Sequence, residues 1–239
     1  MYNNEITAER IKTKMAKSIN IISYNLKYNR ASNELGELAK SYRADFVCAQ
    51  ECYSQLLPQK IHRLKLADAT KANRLGLAIY FDPERFELIA SKSFLLKKSV
   101  YEQMVFSQDE RLLITKVFDK LSGQQITLGS FHATPLFAVN SVRRHQIAMA
   151  HDILSDFSGD SPAIMVGDYN YPLFKRGLKV CIENSGYKLN FSDHPTYVLA
   201  RLLKAHFDFT TSLNATIEHV KTLPKGLSDH QPILVQALV

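Results

Sequence analysis

Hydrophobic positions along this chain fall in short runs: some alternate with period two, some recur at helical spacing, and some are unbroken. The run Ala163, Ile164, Met165, Val166 is unbroken and predicts a buried strand, with Gly167 allowing a sharp turn that presents Asp168 and Asn170 at its mouth. Residues 18–25 alternate well enough for a strand ending on Asn25. Residues 32–42 place Leu35, Leu38, Ala39 and Tyr42 on one helical face after a Ser/Asn start. Residues 45–51 then form a strand that carries Phe46, Val47, Cys48 and Ala49 inward and ends on Glu51. Residues 53–72 read as a loop-rich connection, because Pro58 interrupts any helix; they carry the basic residues His62, Arg63, Lys65 and Lys71.

Farther along, residues 76–81 and 86–90 flank D-P-E-R and predict a hairpin with Pro83 in the second turn position. Residues 92–110 are polar and aperiodic. Residues 111–118 and 125–131 predict a second hairpin, whose last strand runs into His132-Ala133-Thr134-Pro135. A helix starting near Asn140 has Val142, Ile147, Ala150, Leu154 and Phe157 on its apolar face, with Arg143 and Arg144 in its first turn. A short helix over 177–186 is closed by Gly186, and the remainder is short and rich in β-formers, ending in a strand just after Asp229 and His230. Hairpins and helices alternate, which implies a two-sheet α/β layer structure without a purely parallel sheet. No fixed-period repeat or Gly/Ser linker interrupts it, so one domain is expected over residues 18–239 behind an aperiodic appendage of residues 1–17.

Composition narrows the class. A chain of 239 residues with 46% hydrophobic residues can bury a full core. Cys48, Cys52 and Cys181 lack metal-finger spacing and read as reduced thiols, so no disulfide framework is expected. The N-terminal residues have no apolar segment of signal-peptide length, and no run of about 18 apolar residues occurs, so the expectation is a soluble, cytoplasmic protein without stable membrane association. A net charge of +7 favours a polyanionic partner.

Polar residues at strand ends carry the functional argument. Any one of them fits a turn cap or a solvated acid. Together, Asn25, Glu51, His132, Asp168 with Asn170, Asp208, and Asp229 with His230 each stand at the edge of an expected strand. The motifs S-Y-N, Q-E, F-H-A-T-P, G-D-Y-N, H-F-D-F and S-D-H, in that order from Ser23 to His230, resemble those of the endonuclease/exonuclease/phosphatase superfamily, which includes deoxyribonuclease I.

That resemblance implies a four-layer α/β sandwich, two mixed β-sheets face to face with helices outside, and metal-dependent phosphoester hydrolysis at one end. Glu51 and Asp229, with Asn25 beside them, would hold Mg²⁺ or Mn²⁺. Asp168 would orient or deprotonate the attacking water, and Asn170 would donate to a phosphate oxygen. Asp208 would hold His230 in one tautomer against the scissile phosphate, and His132 would supply another donor. Two positions depart from the pattern: Lys27 stands where some members carry an acid, and no carboxylate partner for His132 is evident, Asn73 being the nearest candidate. Phe209 replaces the usual Tyr in H-F-D-F, a change expected to be harmless. The basic charge directs the substrate expectation to nucleic acid, with Arg63, Lys65, Lys71, Arg143 and Arg144 as phosphate contacts; small phosphoesters such as inositol phosphates or sphingomyelin-type lipids are the alternative. The remaining histidines, including His62, His145, His151, His194, His206 and His219, are read as ordinary polar residues.

Overall fold

The computed structural model describes residues 17–71, 75–96, 110–135, 138–171, 173–199 and 203–239; residues 1–16 of the expected appendage and Asn73 lie outside this set. Among the described residues the elements are β1 Ser18–Asn25, α1 Leu35–Ser41, β2 Phe46–Cys52, β3 Lys60–Ile61, β4 Leu64–Ala69, β5 Gly76–Phe81, β6 Phe86–Leu95, β7 Glu110–Asp119, β8 Gln124–His132, α2 Asn140–Ser158, β9 Ala163–Asp168, α3 Lys175–Asn184, β10 Lys188–Phe191, β11 Tyr197–Leu199, β12 Leu203–Ala205, β13 Asp208–Leu213, β14 Thr216–Thr222 and β15 Ile233–Leu238.

Two mixed sheets result. One runs β14-β15-β1-β2-β5-β4-β3 and the other β10-β13-β9-β8-β7-β6, while β11 and β12 pair separately as a small hairpin. Each large sheet has a parallel pair at its centre, β1 with β2 and β8 with β9. Period-two alternation sends one set of side chains between the sheets and the other outward. Ile19, Ile21, Phe46, Cys48, Ile79, Val117, Leu128, Ile164, Val166 and Val235 fill the space between them. On the outer face of the first sheet Tyr24, Val47, Ala49 and Tyr80 pack with Leu35 and Ala39 of α1. On the outer face of the second, Ile114, Phe131, Met165 and Phe209 pack with Ile147 and Leu154 of α2 and Leu178 and Ile182 of α3. The layers are therefore helix, sheet, sheet, helix, the expected sandwich.

Three expectations need correction. Residues 76–81 and 86–90 do not form a hairpin: β5 lies between β2 and β4 in the first sheet, whereas β6 pairs with β7 in the second. Every residue of β5 is buried and both its edges are already paired, so no edge remains for β6. The D-P-E-R turn instead crosses between sheets, anchored by Arg85 on Asp119 at 3.0 and 3.1 Å. Residues 53–72 contain strands β3 and β4, whose alternation is broken by a register shift between Leu66 and Asp68. Finally, Gly167 is not a turn but an in-strand glycine with φ of +150°. A Cβ there would stand 1.9 Å from the Phe131 carbonyl oxygen, so the close approach of β8 to β9 requires glycine.

Candidate active site

The parallel strands bring the motif residues to one end of the sandwich. In the second sheet, His132, Asp168 and Asp208 occupy a single row across β8, β9 and β13, because His132 pairs with Asp168 and Asp168 with Asp208. In the first sheet, Asn25 and Gln50 are paired at the ends of β1 and β2. Glu51 follows as a bulged residue in the left-handed region, φ +52°, and the β2–β5 register shifts around it. Bulging turns the Glu51 side chain out of the strand's alternation, so that it faces the second sheet.

Asp168 is the hub. Its Oδ2 accepts from Asn25 Nδ2 at 3.0 Å, and His132 Nε2 and His230 Nε2 stand 3.6 and 3.7 Å from the same oxygen. Its Oδ1 accepts the backbone N–H of Asn170 at 2.9 Å. Asn25 Nδ2 also donates to Glu51 Oε1 at 3.3 Å, which joins the two sheets' carboxylates through one amide. Asn25 Oδ1 accepts the Lys27 N–H, so the Asn25 side chain meets the cluster as a donor. Asp208 Oδ2 and His230 Nδ1 are 2.8 Å apart, forming the expected carboxylate–imidazole pair. Asn170 Nδ2 donates to the Ala133 carbonyl at 3.3 Å, which leaves its second amide hydrogen for other use. Asp229 is more open than the rest, and Lys27 Nζ lies 3.1 Å from its Oδ2.

Burial and neighbours separate the protonation states. Burial opposes charge on His230, yet Asp208 and Asp168 outweigh it and push the imidazole up to about 10, a cation at neutral pH. His132 goes the other way, lowered to about 4 by burial against the pull of Asp168, and is neutral. Burial raises the Asp168 carboxyl, with His230 opposing, which moves it toward the range of a general base.

Two carboxylate groups could hold a metal. Ligand atoms of Asp168, Asp208 and His230 lie within 4.8 Å of one another. His230 Nδ1 is already committed to Asp208, so only its Nε2 could serve there. Glu51 and Asp229, with side chains 19% and 38% exposed, are hard oxygen donors open to a hydrated hard cation.

The basic residues expected to contact phosphate do not act together. Arg143 is 1% exposed, and its guanidinium donates to the Thr134 and Pro135 carbonyls and to Asn140 Oδ1, holding the loop after β8. Arg63 bonds the Ala44 carbonyl and pairs with Asp82 at 3.3 Å. Lys65 is level with Phe81, which is level with Phe46 at the start of β2. Both therefore sit at the end of the sheet opposite Glu51. Lys71 is exposed and follows β4 at the site end, and Arg144 donates to the Tyr171 hydroxyl at 2.8 Å.

Four residues without an assigned role complete the scaffold. Gln50 Nε2 stands 3.2 Å from Ser23 Oγ, 3.1 Å from Ser130 Oγ and 3.1 Å from the Cys48 carbonyl, three acceptors that share its two hydrogens across the two sheets below the site. Ser228 Oγ donates to the Asn25 carbonyl at 2.7 Å and accepts the His230 N–H. Ser23, Gln50 and Ser228 are themselves letters of S-Y-N, Q-E and S-D-H. Tyr197 has no such motif; its ring packs 4.6 Å from that of His230 and 4.8 Å from that of Phe207.

Comparison with known proteins agrees with this architecture. No family model matches the chain. Its fold is that of endonuclease/exonuclease/phosphatase proteins: a Bacteroides vulgatus member aligns with a TM-score of 0.76 at 14% identity, over 92% of this chain and 98% of that one. ANGEL2, described as a 2′,3′-cyclic phosphatase, aligns with a TM-score of 0.74 at 13% identity over 93% and 95% of the two chains. Danio rerio TDP2, solved with a single-strand DNA product, gives 0.72 at 16% identity over 92% and 99%. In sequence, Protein angel of Drosophila melanogaster is a distant homologue, 28% identical over 156 residues. That alignment covers 59% of this chain and 43% of the relative, so the chain spans less than half of that protein's length. Among the described residues no helix is long and apolar enough to cross a membrane.

Proposed function

We propose that the chain is a metal-dependent phosphoester hydrolase that cleaves phosphodiesters of nucleic acid by direct attack of water on phosphorus. The observation that carries this reading is the Asp168 hub: a buried carboxylate faced by one cationic and one neutral imidazole and by an amide donor. Asp168 accepts the proton of the attacking water as the oxygen–phosphorus bond forms and the bond to the leaving oxygen breaks. His230, charged and fixed by Asp208, donates from Nε2 to a phosphate oxygen on which charge grows. Asn170 offers its remaining amide hydrogen, and His132 a neutral ring N–H. Glu51 and Asp229 would hold Mg²⁺ or Mn²⁺, which would supply charge neutralisation at the phosphate.

A second reading draws on the angel relationship. ANGEL2 is described as a 2′,3′-cyclic phosphatase, and a terminal cyclic phosphate is itself a phosphodiester that this constellation suits. One experiment tests both. The purified protein is assayed with Mg²⁺ or Mn²⁺, with and without EDTA, on single-stranded DNA, RNA, RNA ending in a 2′,3′-cyclic phosphate, and inositol phosphates. Chelator-sensitive cleavage of internal nucleic-acid linkages is expected. Turnover confined to the cyclic terminus would select the second reading, and undiminished turnover in EDTA would overturn the metal mechanism.

A further inference from the structure

Residues Lys27, Tyr28 and Asn29 have consecutive positive φ values of 47°, 54° and 64°, a left-handed turn built without glycine. Such backbone is costly for each residue and persists only where its surroundings hold it. Here the holding groups belong to the site: the Lys27 N–H donates to Asn25 Oδ1, the Tyr28 N–H to Glu51 Oε2 at 3.1 Å, and the Asn29 N–H to the Glu51 carbonyl at 2.8 Å. The turn is folded around Glu51 and delivers the Lys27 ammonium to the other open carboxylate, 3.1 Å from Asp229 Oδ2. A surface ion pair formed by chance would not need a strained turn bonded to both neighbouring site residues.

We propose that Lys27 is a resident cation of the active site: it neutralises Asp229 in the free protein, limits the charge that a metal ion can find there, and moves to a phosphate oxygen of bound substrate. This rests on the metal reading of Glu51 and Asp229. Lys27 Nζ and Asp229 are 31% and 38% exposed on their side chains, so the ammonium is free to swing the few ångströms from carboxylate to phosphate on a flexible stem. Its charge would then add to that of His230 around the phosphate. A cation beside a metal-binding carboxylate weakens metal affinity by direct repulsion, while a cation on the reacting phosphate speeds the reaction. Removal of Lys27 should therefore move binding and turnover in opposite directions, which loss of a purely structural contact would not do.

The test compares wild type, Lys27→Met and Lys27→Arg as full chains. Mn²⁺ affinity is measured calorimetrically without substrate, and kcat and KM are measured on bis-nitrophenyl phosphate. Lys27→Met should bind Mn²⁺ about tenfold more tightly or better and lose about 10²-fold in kcat, with both values restored toward wild type in Lys27→Arg, which retains the charge and checks that the turn still folds. Unchanged or weakened Mn²⁺ affinity in Lys27→Met, or unchanged kcat, would overturn the role of Lys27 and leave the metal reading standing. Absence of Mn²⁺ binding in all three proteins would overturn the metal reading and this inference with it.

Discussion

His151 should make the protein sensitive to mild acid, by an amount that follows from its burial. It lies on α2, fully buried, with Nε2 2.9 Å from Thr211 Oγ1 and its ring stacked 3.9 Å from that of Tyr187. Nδ1 is buried without a hydrogen-bond partner among the described residues, so a second ring proton would meet no acceptor there. Burial lowers this imidazole to about 3, against about 6.5 in the unfolded chain. Because the folded-state value is depressed, its contribution is fully present above pH 6.5 and is lost as pH falls from 6.5 toward 3: the unfolded chain takes up a proton that the folded one refuses. At pH 5 the loss is about 1.5 × 1.36, or ~2 kcal/mol, and it depends on the unfolded value alone while the folded ring stays neutral. His132, lowered to about 4, adds to the total, so the informative quantity is the difference between wild type and His151→Gln, which keeps a hydrogen-bonding group toward Thr211 but does not titrate. Urea unfolding followed by far-UV circular dichroism at pH 7.5 and pH 5 measures it. Wild type should lose ~2 kcal/mol more than the variant over this interval; equal losses would refute the reasoning.

Further outcomes concern the site. Glu51→Gln should weaken metal affinity and recover part of its activity at high Mg²⁺, whereas Asp168→Asn, lacking the group that acts on water, should stay down by roughly 10² to 10⁴ at any Mg²⁺ concentration; equal recovery of both would contradict their separate roles. Asp208→Asn combined with His230→Ala should cost little more in kcat/KM than His230→Ala alone, and additive losses would show that the pair does not act as a unit. Gly167→Ala should cost on the order of 3 kcal/mol in stability and most activity, since a Cβ would collide with the Phe131 carbonyl beside Asp168; a normal melting temperature would contradict the close approach. Arg63→Ala with Lys65→Ala should leave the salt dependence of KM for nucleic acid unchanged, because both stand at the far end of the sheet; a flattened slope would place substrate there.

Strand ends and their polar residues were legible because a buried strand is a short apolar run, and the change to Asn, Glu, His or Asp marks where it meets solvent. The assignment of strands to sheets was not. Residues 76–81 and 86–90 have the pattern of a hairpin, and only the prior occupation of both edges of β5 sends β6 elsewhere. Charge was the least informative signal: Arg143 looks like a phosphate ligand in sequence, but its donors meet carbonyls that an apolar neighbour would have left unsatisfied. The Glu51 bulge leaves no mark in composition, and neither does the left-handed turn of Lys27, because both depend on hydrogen bonds from residues distant in sequence or on backbone angles.

Gln50 has a consequence for mechanical alignment. The layer between the sheets is hydrocarbon, which attracts without direction and would tolerate one sheet sliding over the other by a fraction of an ångström. The candidate site is divided along that seam, with Asn25 and Glu51 on one side and His132, Asp168 and Asp208 on the other. Gln50, bonded to Ser23 and Cys48 in its own sheet and to Ser130 in the facing one, is a dowel through the seam. Hydrogen bonds have the directionality that hydrocarbon lacks, so this buried amide, together with Ser130 Oγ on the Ala49 carbonyl and Asn25 Nδ2 on Asp168, limits how far the two halves of the site can slip past one another.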